Sequence, residues 1–265
     1  MTMQKRFRLS TLAFGAEPGM PDVAALARWV AGHRGTTADI TTYLLDQSLA
    51  PQLGAGIDRP CAGGKFCADR IRASLIGVEK GRATDEIAVC TEALIEDAAG
   101  IAVQKRGVWC TLPAPHMLGL SDAYYHDEEE WCYAITGAYR TLMRAMRDCG
   151  IPGHVLICEK AEEAEIAALA GQKQFFFQPE TDRGSLESLM EHQRQIAVRP
   201  DQLATVFDLS NEYELRKIIV VDADAEAIAR ALLHLDPDQV SAGGYCMDGC
   251  DEYWNNLVDA AVYTR

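Results

Sequence analysis

Four cysteines form two closely spaced pairs with the chemistry to bind a metal ion. Cys61 and Cys67 flank a glycine-rich stretch, and Cys246 and Cys250 lie on either side of an Asp-Gly turn signal near the end of the chain. Four thiolates would suit zinc or an iron–sulfur cluster. Neither pair has the C-x2-C spacing typical of such sites, so the pattern leaves a metal site open without identifying it. Buried structural cysteines would fit the same pattern.

A reactive thiol is the second interpretation of these cysteines. Cys61, Cys246 and Cys250 are each predicted in a loop or near a helix start, where the helix dipole lowers a thiol pKa. No histidine neighbours them in the sequence, so a catalytic partner would have to come from elsewhere in the fold. We therefore keep Cys246 as a candidate nucleophile at the rim of a site.

Polar residues that follow predicted strands form the other group of candidates for catalysis. Asp222 ends a strongly apolar strand, where an unpaired carboxylate would be costly, although hydrogen bonds from backbone amides would explain it equally well. Glu159 is a further acid/base candidate, and His116 is a candidate general base or metal ligand. The predicted rim of strand-end residues comprises Glu17, Asp46, His116, Glu159, Lys160, Glu180, Arg199, Asp222, Asp224 and Tyr245.

Cations and glycines complete the predicted binding site. Lys160 and Arg199 would hold an anionic group of a substrate. Gly243 and Gly244 would let the backbone approach a ligand closely, and Tyr245 follows them directly. Of the rim residues, Asp224 is expected to cap the next helix and not to act in chemistry.

Several common catalytic signatures are missing from the sequence. Residues 54–59 begin like a dinucleotide fingerprint but have Arg where the third glycine belongs, and residues 62–65 end like a Walker loop without its first glycine or its Ser/Thr. No G-x-S-x-G, H-E-x-x-H or EF-hand pattern occurs. These absences argue against the common nucleotide kinases, esterases and zinc proteases.

Composition restricts the class of protein and of partner. The chain of 265 residues is 48% hydrophobic and 24% charged, which are ordinary globular values. Its net charge of -14, without a run of Lys and Arg, predicts that it does not bind nucleic acid. A small-molecule ligand is the expected partner. The sequence specifies neither a cofactor nor an oligomeric state.

No segment predicts a membrane span or a signal peptide. No stretch reaches 18 uninterrupted apolar residues, and the N-terminal apolar stretch is too short and too polar for a secretory signal. We therefore expect a cytoplasmic protein that does not bind membranes. In a reducing compartment the nine cysteines should mostly be buried thiols or ligands, so a disulfide framework is not expected.

Short β-rich runs alternate with segments of helical periodicity, which predicts an α/β fold with a mostly parallel sheet. A (β/α)8-barrel-like fold is favoured over an open doubly wound sheet if residues 196–199 form a strand. In both folds, ligands bind at the carboxyl ends of the strands. The predicted strands cover residues 7–15, 39–46, 107–115, 154–160, 172–179, 196–199, 216–224 and 239–246.

One domain spanning residues 1–265 is predicted, with a helical insertion at about residues 50–100. The two helices expected there cover residues 67–81 and 84–100. A helix at residues 21–32 should bury Val23, Leu26 and Val30 on one face, and the longest helix should run from about Asp127 to Cys149.

The sequence favours an enzyme that acts on a small metabolite with an anionic group, at the carboxyl ends of the strands. The alternative is a non-catalytic accessory protein that binds a metal or cofactor through the pairs Cys61/Cys67 and Cys246/Cys250. The two hypotheses differ in whether the four cysteines meet in space.

Overall fold

The computed structural model describes residues 6–33, 38–247 and 250–264. The Asp-Gly turn predicted at residues 248 and 249 lies outside the described residues. The strands are β1 (Arg6–Arg8), β2 (Ser10–Ala16), β3 (Cys61–Gly63), β4 (Leu75–Glu79), β5 (Arg82–Val89), β6 (Trp109–Pro113), β7 (Ser121–Asp122), β8 (His154–Ile157), β9 (Gln174–Phe177), β10 (Gln195–Val198), β11 (Lys217–Val221), β12 (Val240–Cys246) and β13 (Val262–Thr264). The helices are α1 (Val23–Gly32), α2 (Ile40–Ala55), α3 (Ala68–Ala73), α4 (Glu92–Gln104), α5 (Glu128–Asp148), α6 (Glu163–Leu169), α7 (Arg183–His192), α8 (Leu203–Leu209), α9 (Ala225–Ala231) and α10 (Cys250–Ala260).

Two parallel sheets of four strands form the centre of the molecule. Their strand orders are β10-β11-β12-β2 and β3-β6-β8-β9. A parallel bridge between Leu12 and Arg59 joins the sheets, because the Arg59 amide donates to Thr11 O and its carbonyl accepts from Ala13 N, both at 3.0 Å. Helices alternate with these strands along the chain, which confirms the predicted parallel α/β architecture.

The strand pairings do not close into a ring. Within the described residues, no backbone ladder joins β9 to β10. The side chain of Gln193 takes that place, since its Oε1 accepts from Phe176 N at 2.9 Å and its Nε2 donates to Phe176 O at 3.0 Å. A side-chain amide therefore satisfies backbone groups that a neighbouring strand would otherwise pair.

Successive residues of the parallel strands pack into two separate apolar clusters. In β11, Ile218 and Val220 belong to the larger cluster, while Ile219 and Val221 belong to the smaller one. This alternation is the two-residue period of a strand that is covered on both faces. Each buried aliphatic side chain of this kind contributes about 1.5 to 3 kcal/mol to folding.

The prediction of a strand at residues 39–46 is wrong. Residues 39–46, rich in Ile, Thr and Tyr, begin α2. Asp39 and Thr42 form a capping box in which each side chain accepts from the other's backbone amide, at 2.9 Å in both directions. This local cap fixes a helix start that the β-branched composition obscures.

The parallel strand that follows β2 along the chain is instead β3, which is only three residues long. Side chains of α2 hold it in place on one side. Gln52 accepts from Cys61 N at 2.7 Å and donates to Cys61 O at 2.8 Å, and Ser48 Oγ accepts from Gly63 N at 2.9 Å. A strand this short depends on these contacts and has little sequence signal of its own.

The region predicted as a helical insertion contains both helices and strands. The helix expected at residues 67–81 ends with α3 and is followed by β4, and the helix expected at 84–100 is preceded by β5. These two strands form an antiparallel hairpin, and β7 pairs with β5 in parallel. The hairpin turns at Lys80 and Gly81, which both have positive φ.

The predicted helix at residues 21–32 is confirmed as α1, but its predicted buried face is not. Val23 is 87% exposed and Val30 is 37% exposed. The longest predicted helix is confirmed as α5, which Asp127 caps by accepting from Glu130 N at 2.9 Å. Within the described residues, no helix is both long and apolar enough to cross a membrane.

Candidate functional site

We call the last residues of the eight parallel strands, with the residues that directly follow them, the carboxyl edge. Glu17 follows β2, Glu159 lies two residues beyond β8, and Arg199 follows β10. Asp222 follows β11, and Tyr245 is the penultimate residue of β12. The parallel topology therefore brings these predicted rim residues to one edge of the sheets.

Asp46 is a predicted rim residue that lies elsewhere. It belongs to α2, where its carboxylate accepts from Trp29 Nε1 at 3.1 Å and from Gln104 Nε2 at 3.0 Å. Asp224 has the predicted capping role, because its Oδ1 accepts from Ala227 N at 2.7 Å at the start of α9.

Glu17 is the centre of a hydrogen-bond network at the carboxyl edge. Its Oε1 accepts from the amide of Lys65 at 2.6 Å and from the hydroxyl of Tyr245. Its own amide donates to Cys246 O at 2.8 Å. One carboxylate thus links the ends of β2 and β12 to the residues after β3.

Glycines allow this close approach. A Cβ on Gly64 would lie 2.8 Å from Glu17 Oε1 and still closer to Ala16 O. A Cβ on Gly15, which has a φ of +98°, would lie 2.8 Å from Thr111 Oγ1 and still closer to Gly63 O. Only residues without a side chain fit between these strands, so the position of Glu17 depends on them.

Lys65 extends the network to a predicted catalytic residue. Its Nζ lies 3.0 Å from Glu159 Oε1, and both side chains are partly open to solvent. Lys160, which was predicted to bind an anionic group, instead forms an ion pair with Glu162 and is 67% exposed. Lys65 therefore contacts Glu17 through its backbone amide and Glu159 through its ammonium group.

Asp222 lies in a second group of contacts at the same edge. Its Oδ1 accepts from the hydroxyl of Tyr253 at 2.6 Å, and its Oδ2 lies 3.9 Å from Arg199 Nη2. The Asp222 side chain is 41% exposed, so the predicted cost of burying its charge does not arise. Its backbone has a φ of +51°, an uncommon conformation for a residue other than glycine.

Gly243 and Gly244 have a different role from the predicted one. A Cβ on Gly243 would lie 2.5 Å from Ile219 Cγ2 and 3.0 Å from Phe14 Cε2. A Cβ on Gly244 would overlap the Tyr253 hydroxyl and lie 2.6 Å from Leu257 Cδ1. The space beside both glycines is occupied by side chains of the protein, not left open for a ligand.

The two tyrosines of the edge are held in their protonated form. Burial and the charge of Glu17 raise the pKa of Tyr245 far above its ordinary value. Burial and the hydrogen bond to Asp222 do the same for the pKa of Tyr253. Each phenol is therefore a fixed hydrogen-bond donor that orients a carboxylate at neutral pH.

His116 lies after β6, at the carboxyl edge as predicted, and its partner comes from α6. Its Nδ1 lies 2.8 Å from Glu165 Oε2, while its Nε2 is buried without a protein partner. This pair is separate from the Glu17 network. Gln178, directly after β9, also has a buried Oε1 without a protein partner.

The structure does not bring the four predicted metal-ligating cysteines together. Cys61 belongs to the smaller apolar cluster and Cys67 to the larger one, on the opposite face of the strands. Burial raises the pKa of each thiol to about 12, which disfavours the thiolate that a metal requires. Cys61 Sγ lies 3.0 Å from Thr111 Oγ1.

Cys246 and Cys250 are joined by a disulfide, which the sequence did not predict. The other seven cysteines are free, as expected for most of them. In this state Cys246 offers no free thiol for a nucleophile. Its position at the end of β12, next to Tyr245, is the predicted one.

One group of three residues has the spacing of metal ligands. Glu163, Glu191 and His192 place ligand atoms within 4.8 Å of one another, and it is the single such group within the described ranges. Both glutamates are exposed, and acidic surface residues commonly cluster without an ion. This group lies apart from the Glu17 network and contains none of the predicted ligands.

Two residues of the edge were not predicted from sequence. Lys65 has a sequence signal, because it follows two glycines in a stretch that ends like a Walker loop. Tyr253 had none, since a tyrosine in an amphipathic helix is most simply explained by packing. Glu17 was among the predicted rim residues, but its central position depends on the strand order.

No protein-family model matches the sequence, and no curated protein sequence matches it significantly. Solved structures are similar in fold. A B12-independent methionine synthase from Shewanella sp. W3-18-1, in complex with selenomethionine, aligns with a TM-score of 0.68 at 15% identity over 96% of this chain and 97% of that one. A putative vitamin-B12-independent methionine synthase from Listeria monocytogenes aligns with a TM-score of 0.52 at 13% identity, over 96% and 95% of the two chains. At these identities the likeness establishes a shared α/β fold alone.

Proposed function

We propose that this protein is an enzyme that acts on a small amino-acid-like metabolite at the carboxyl edge. The observation that carries the proposal is the Glu17 network, in which the Glu17 carboxylate accepts from the buried phenol of Tyr245 and from the backbone amide of Lys65, while the Lys65 ammonium group pairs with Glu159. Arrangements of this kind are costly to build for stability alone, because the groups are positioned by strained or tightly packed backbone.

The proposal includes a barrel-like arrangement of the eight parallel strands. Their order around the sheets follows the chain, from β2 through β3, β6, β8, β9, β10 and β11 to β12. Gln193 bridges the remaining gap between β9 and β10. This arrangement supports a site at the carboxyl ends, where barrel enzymes carry their catalytic residues.

The charges at the edge suit a zwitterion. Glu17, Glu159 and Asp222 provide anionic oxygens for an ammonium group, while Lys65 and Arg199 provide donors for a carboxylate. Gln178 Oε1 and His116 Nε2 are buried at the same edge without protein partners. In the structurally similar Shewanella protein the bound molecule is selenomethionine, which makes L-methionine the first probe.

Within this proposal the residues have distinct roles. Tyr245 donates a hydrogen bond that orients Glu17, and Glu17 and Asp222 are the acid/base candidates. Lys65 and Arg199 would orient the substrate, and Glu159 fixes Lys65. Lys160, Gly243 and Gly244 have no part in the proposed site.

The decisive experiment measures binding of L-methionine by titration calorimetry to the wild type and to two lysine variants. Lys65→Met should weaken binding at least tenfold, a change of about 1.4 kcal/mol. Lys160→Met is the matched control, because it also removes a lysine that is paired with a glutamate at this edge, and it should bind like the wild type.

A panel of the other proteinogenic amino acids extends the test to side chains unlike methionine. The proposal fails if no amino acid binds the wild type, or if binding is equal in the Lys65→Met and Lys160→Met variants. Turnover of a bound amino acid, monitored by mass spectrometry and abolished by Glu17→Gln, would distinguish an enzyme from a binding protein.

A further inference from the structure

A second candidate site lies at the opposite end of the parallel strands. We call the first residues of these strands, with the residues just before them, the amino edge. A cavity of about 530 Å³ opens there. Its lining includes Arg59, which precedes β3, and Trp109, Gln174 and Gln195, which begin β6, β9 and β10. It lies where the ladder between β9 and β10 is absent.

Arg59 is the unusual group in this cavity. Its guanidinium stacks on Trp109 at 4.3 Å from the ring centroid. Its Nε and Nη2 atoms are buried and have no hydrogen-bond partner in the protein. Burial lowers the pKa of Arg59 to about 10, so the side chain still carries its charge at neutral pH.

Among the residues that the structure describes, no carboxylate forms an ion pair with Arg59. The buried Cys61 side chain is coupled to Arg59 electrostatically, but burial raises its pKa to about 12, so it is a neutral thiol at neutral pH. The positive charge of Arg59 also lowers the pKa of the half-buried Lys217, the first residue of β11. An unpaired buried charge such as that of Arg59 is costly.

The other charged residues of the cavity are exposed at its mouth, and several already have partners. Arg194 Nε and Arg216 Nε lie 2.6 and 2.7 Å from the two oxygens of Glu214. Glu191 and Glu212 are exposed. None of these carboxylates approaches Arg59 to form an ion pair. An anion that enters the cavity would therefore meet a guanidinium that pairs with none of the rim carboxylates.

The remaining lining suits an organic anion more than an inorganic one. Trp109, Phe175 and Met190 contribute apolar surface. His192 Nε2 is buried without a partner and adds a polar group. A guanidinium binds a planar carboxylate through two parallel hydrogen bonds, and the apolar lining would contact the body of such a molecule.

We propose that the amino-edge cavity binds a small planar organic carboxylate, whose charge is neutralised by Arg59. This site lies at the other end of the strands from the proposed catalytic site and does not depend on it. Bound there, the ligand would supply the counter-charge that the protein lacks.

The test uses benzoate as the probe and tryptophan fluorescence as the readout, with calorimetry as a second measurement. Benzoate should bind the wild type and change its emission, because Trp109 lines the cavity. Arg59→Gln should weaken binding at least tenfold, and Arg59→Lys should weaken it less, since it keeps the charge but loses the planar fork. Arg216→Gln is the matched control, a cavity-lining arginine that already has a partner, and should bind like the wild type.

Trp109→Phe separates the fluorescence signal from binding, because the emission change should disappear while calorimetric binding persists. The proposal is overturned if the wild type binds no benzoate, or if Arg59→Gln and Arg216→Gln bind it equally. Tighter binding of inorganic phosphate than of benzoate would overturn the assignment of a planar carboxylate. Circular dichroism of each variant verifies that it is folded.

Discussion

The Glu17 network at the carboxyl edge and the Arg59 side chain at the amino edge differ in how their polar groups are hydrogen-bonded. At the carboxyl edge, Glu17 and Tyr245 are bound to each other, and Tyr253 is bound to Asp222. At the amino edge, Arg59 and His154 have buried nitrogens without protein partners. The Glu17 network is organised before any ligand binds, whereas Arg59 and His154 keep unsatisfied hydrogen-bonding capacity, as do His116 and Gln178 outside that network at the carboxyl edge.

A tightly hydrogen-bonded network and an open cavity therefore lie at different ends of the same strands in this protein. A network such as that of Glu17 fixes the direction of each group and fits chemistry, where geometry must be held closely. An unpaired cation beside a cavity fits binding, because its interaction energy becomes available only when a ligand arrives. The predictions below test the contrast from the largest expected effect to the smallest.

His154, the first residue of β8, should make the amino edge sensitive to acid. It is fully buried, and burial together with the charge of Arg147 lowers its pKa from 6.5 to about 3. Between these values the unfolded chain binds a proton that the folded chain does not. The free energy of unfolding should therefore fall by up to about 5 kcal/mol as the pH falls through this window.

The measurement is urea denaturation across this pH range for the wild type and His154→Gln. The difference in the free energy of unfolding between them should change with pH, while His234→Gln, at an exposed histidine, should track the wild type. Subtracting the variant's free energy of unfolding from that of the wild type cancels the contribution of Asp97, which has the opposite pH dependence. Burial raises the pKa of Asp97 to about 6, so that residue favours folding most below pH 3.8 and less as the pH rises. A difference that is constant with pH would contradict the prediction.

Two partly buried arginines provide the next test of paired against unpaired charge. Arg70 lies 2.8 Å from both Asp97 and Asp39, and the Asp97 side chain is only 2% exposed. Arg70→Gln leaves this carboxylate buried without its cation and should lower the free energy of unfolding by about 3 to 5 kcal/mol. Arg59→Gln removes no ion pair, so the expected change is within about 1 kcal/mol.

Chemical denaturation of both variants at neutral pH decides this comparison. Equal losses of stability at the two positions would mean that Arg59 is held by the fold as firmly as Arg70. The amino-edge cavity would then be structural, and the contrast between the two edges would disappear.

Elements with strong local patterns are predicted correctly from the sequence. Elements whose secondary structure depends on caps or tertiary contacts are not. The β-branched, apolar run of β11 identifies that strand without the structure. Residues 39–46 have similar β-branched content, but the Asp39–Thr42 capping box makes them helical. The short β3 was not predicted because its stability comes from Gln52 and Ser48 of α2.

The candidate site follows the same rule. The expectation that polar residues meet at the carboxyl ends needed only the parallel fold, and it brought Glu17, Glu159 and Asp222 into the predicted set. Which of them touch depends on strand order, since Glu17 and Tyr245 are 228 residues apart. The missing partners of Arg59 are a property of packing, and the sequence contains no pattern for them.

The disulfide between Cys246 and Cys250 should contribute less to the free energy of unfolding than His154 or the Arg70 ion pairs do. It closes a loop of sequence separation four, for which loop-closure entropy predicts about 2 kcal/mol. Urea denaturation with and without a reductant should show this difference in the wild type. Cys250→Ser should be insensitive to reductant, and a large reductant effect in that variant would point to the free cysteines instead.

The smallest change in the free energy of unfolding is expected when Lys65 is substituted. The Lys65–Glu159 pair is largely solvated, and exposed pairs contribute less than about 1 kcal/mol to stability. Lys65→Met and Lys160→Met should therefore unfold at nearly the same urea concentration as the wild type, although only the first should lose ligand. Lys65→Met keeps the backbone amide that donates to Glu17, so the network itself stays intact. A loss of more than about 2 kcal/mol in Lys65→Met would show that this side chain supports the fold, and the carboxyl edge would then be as structural as the Arg70 cluster.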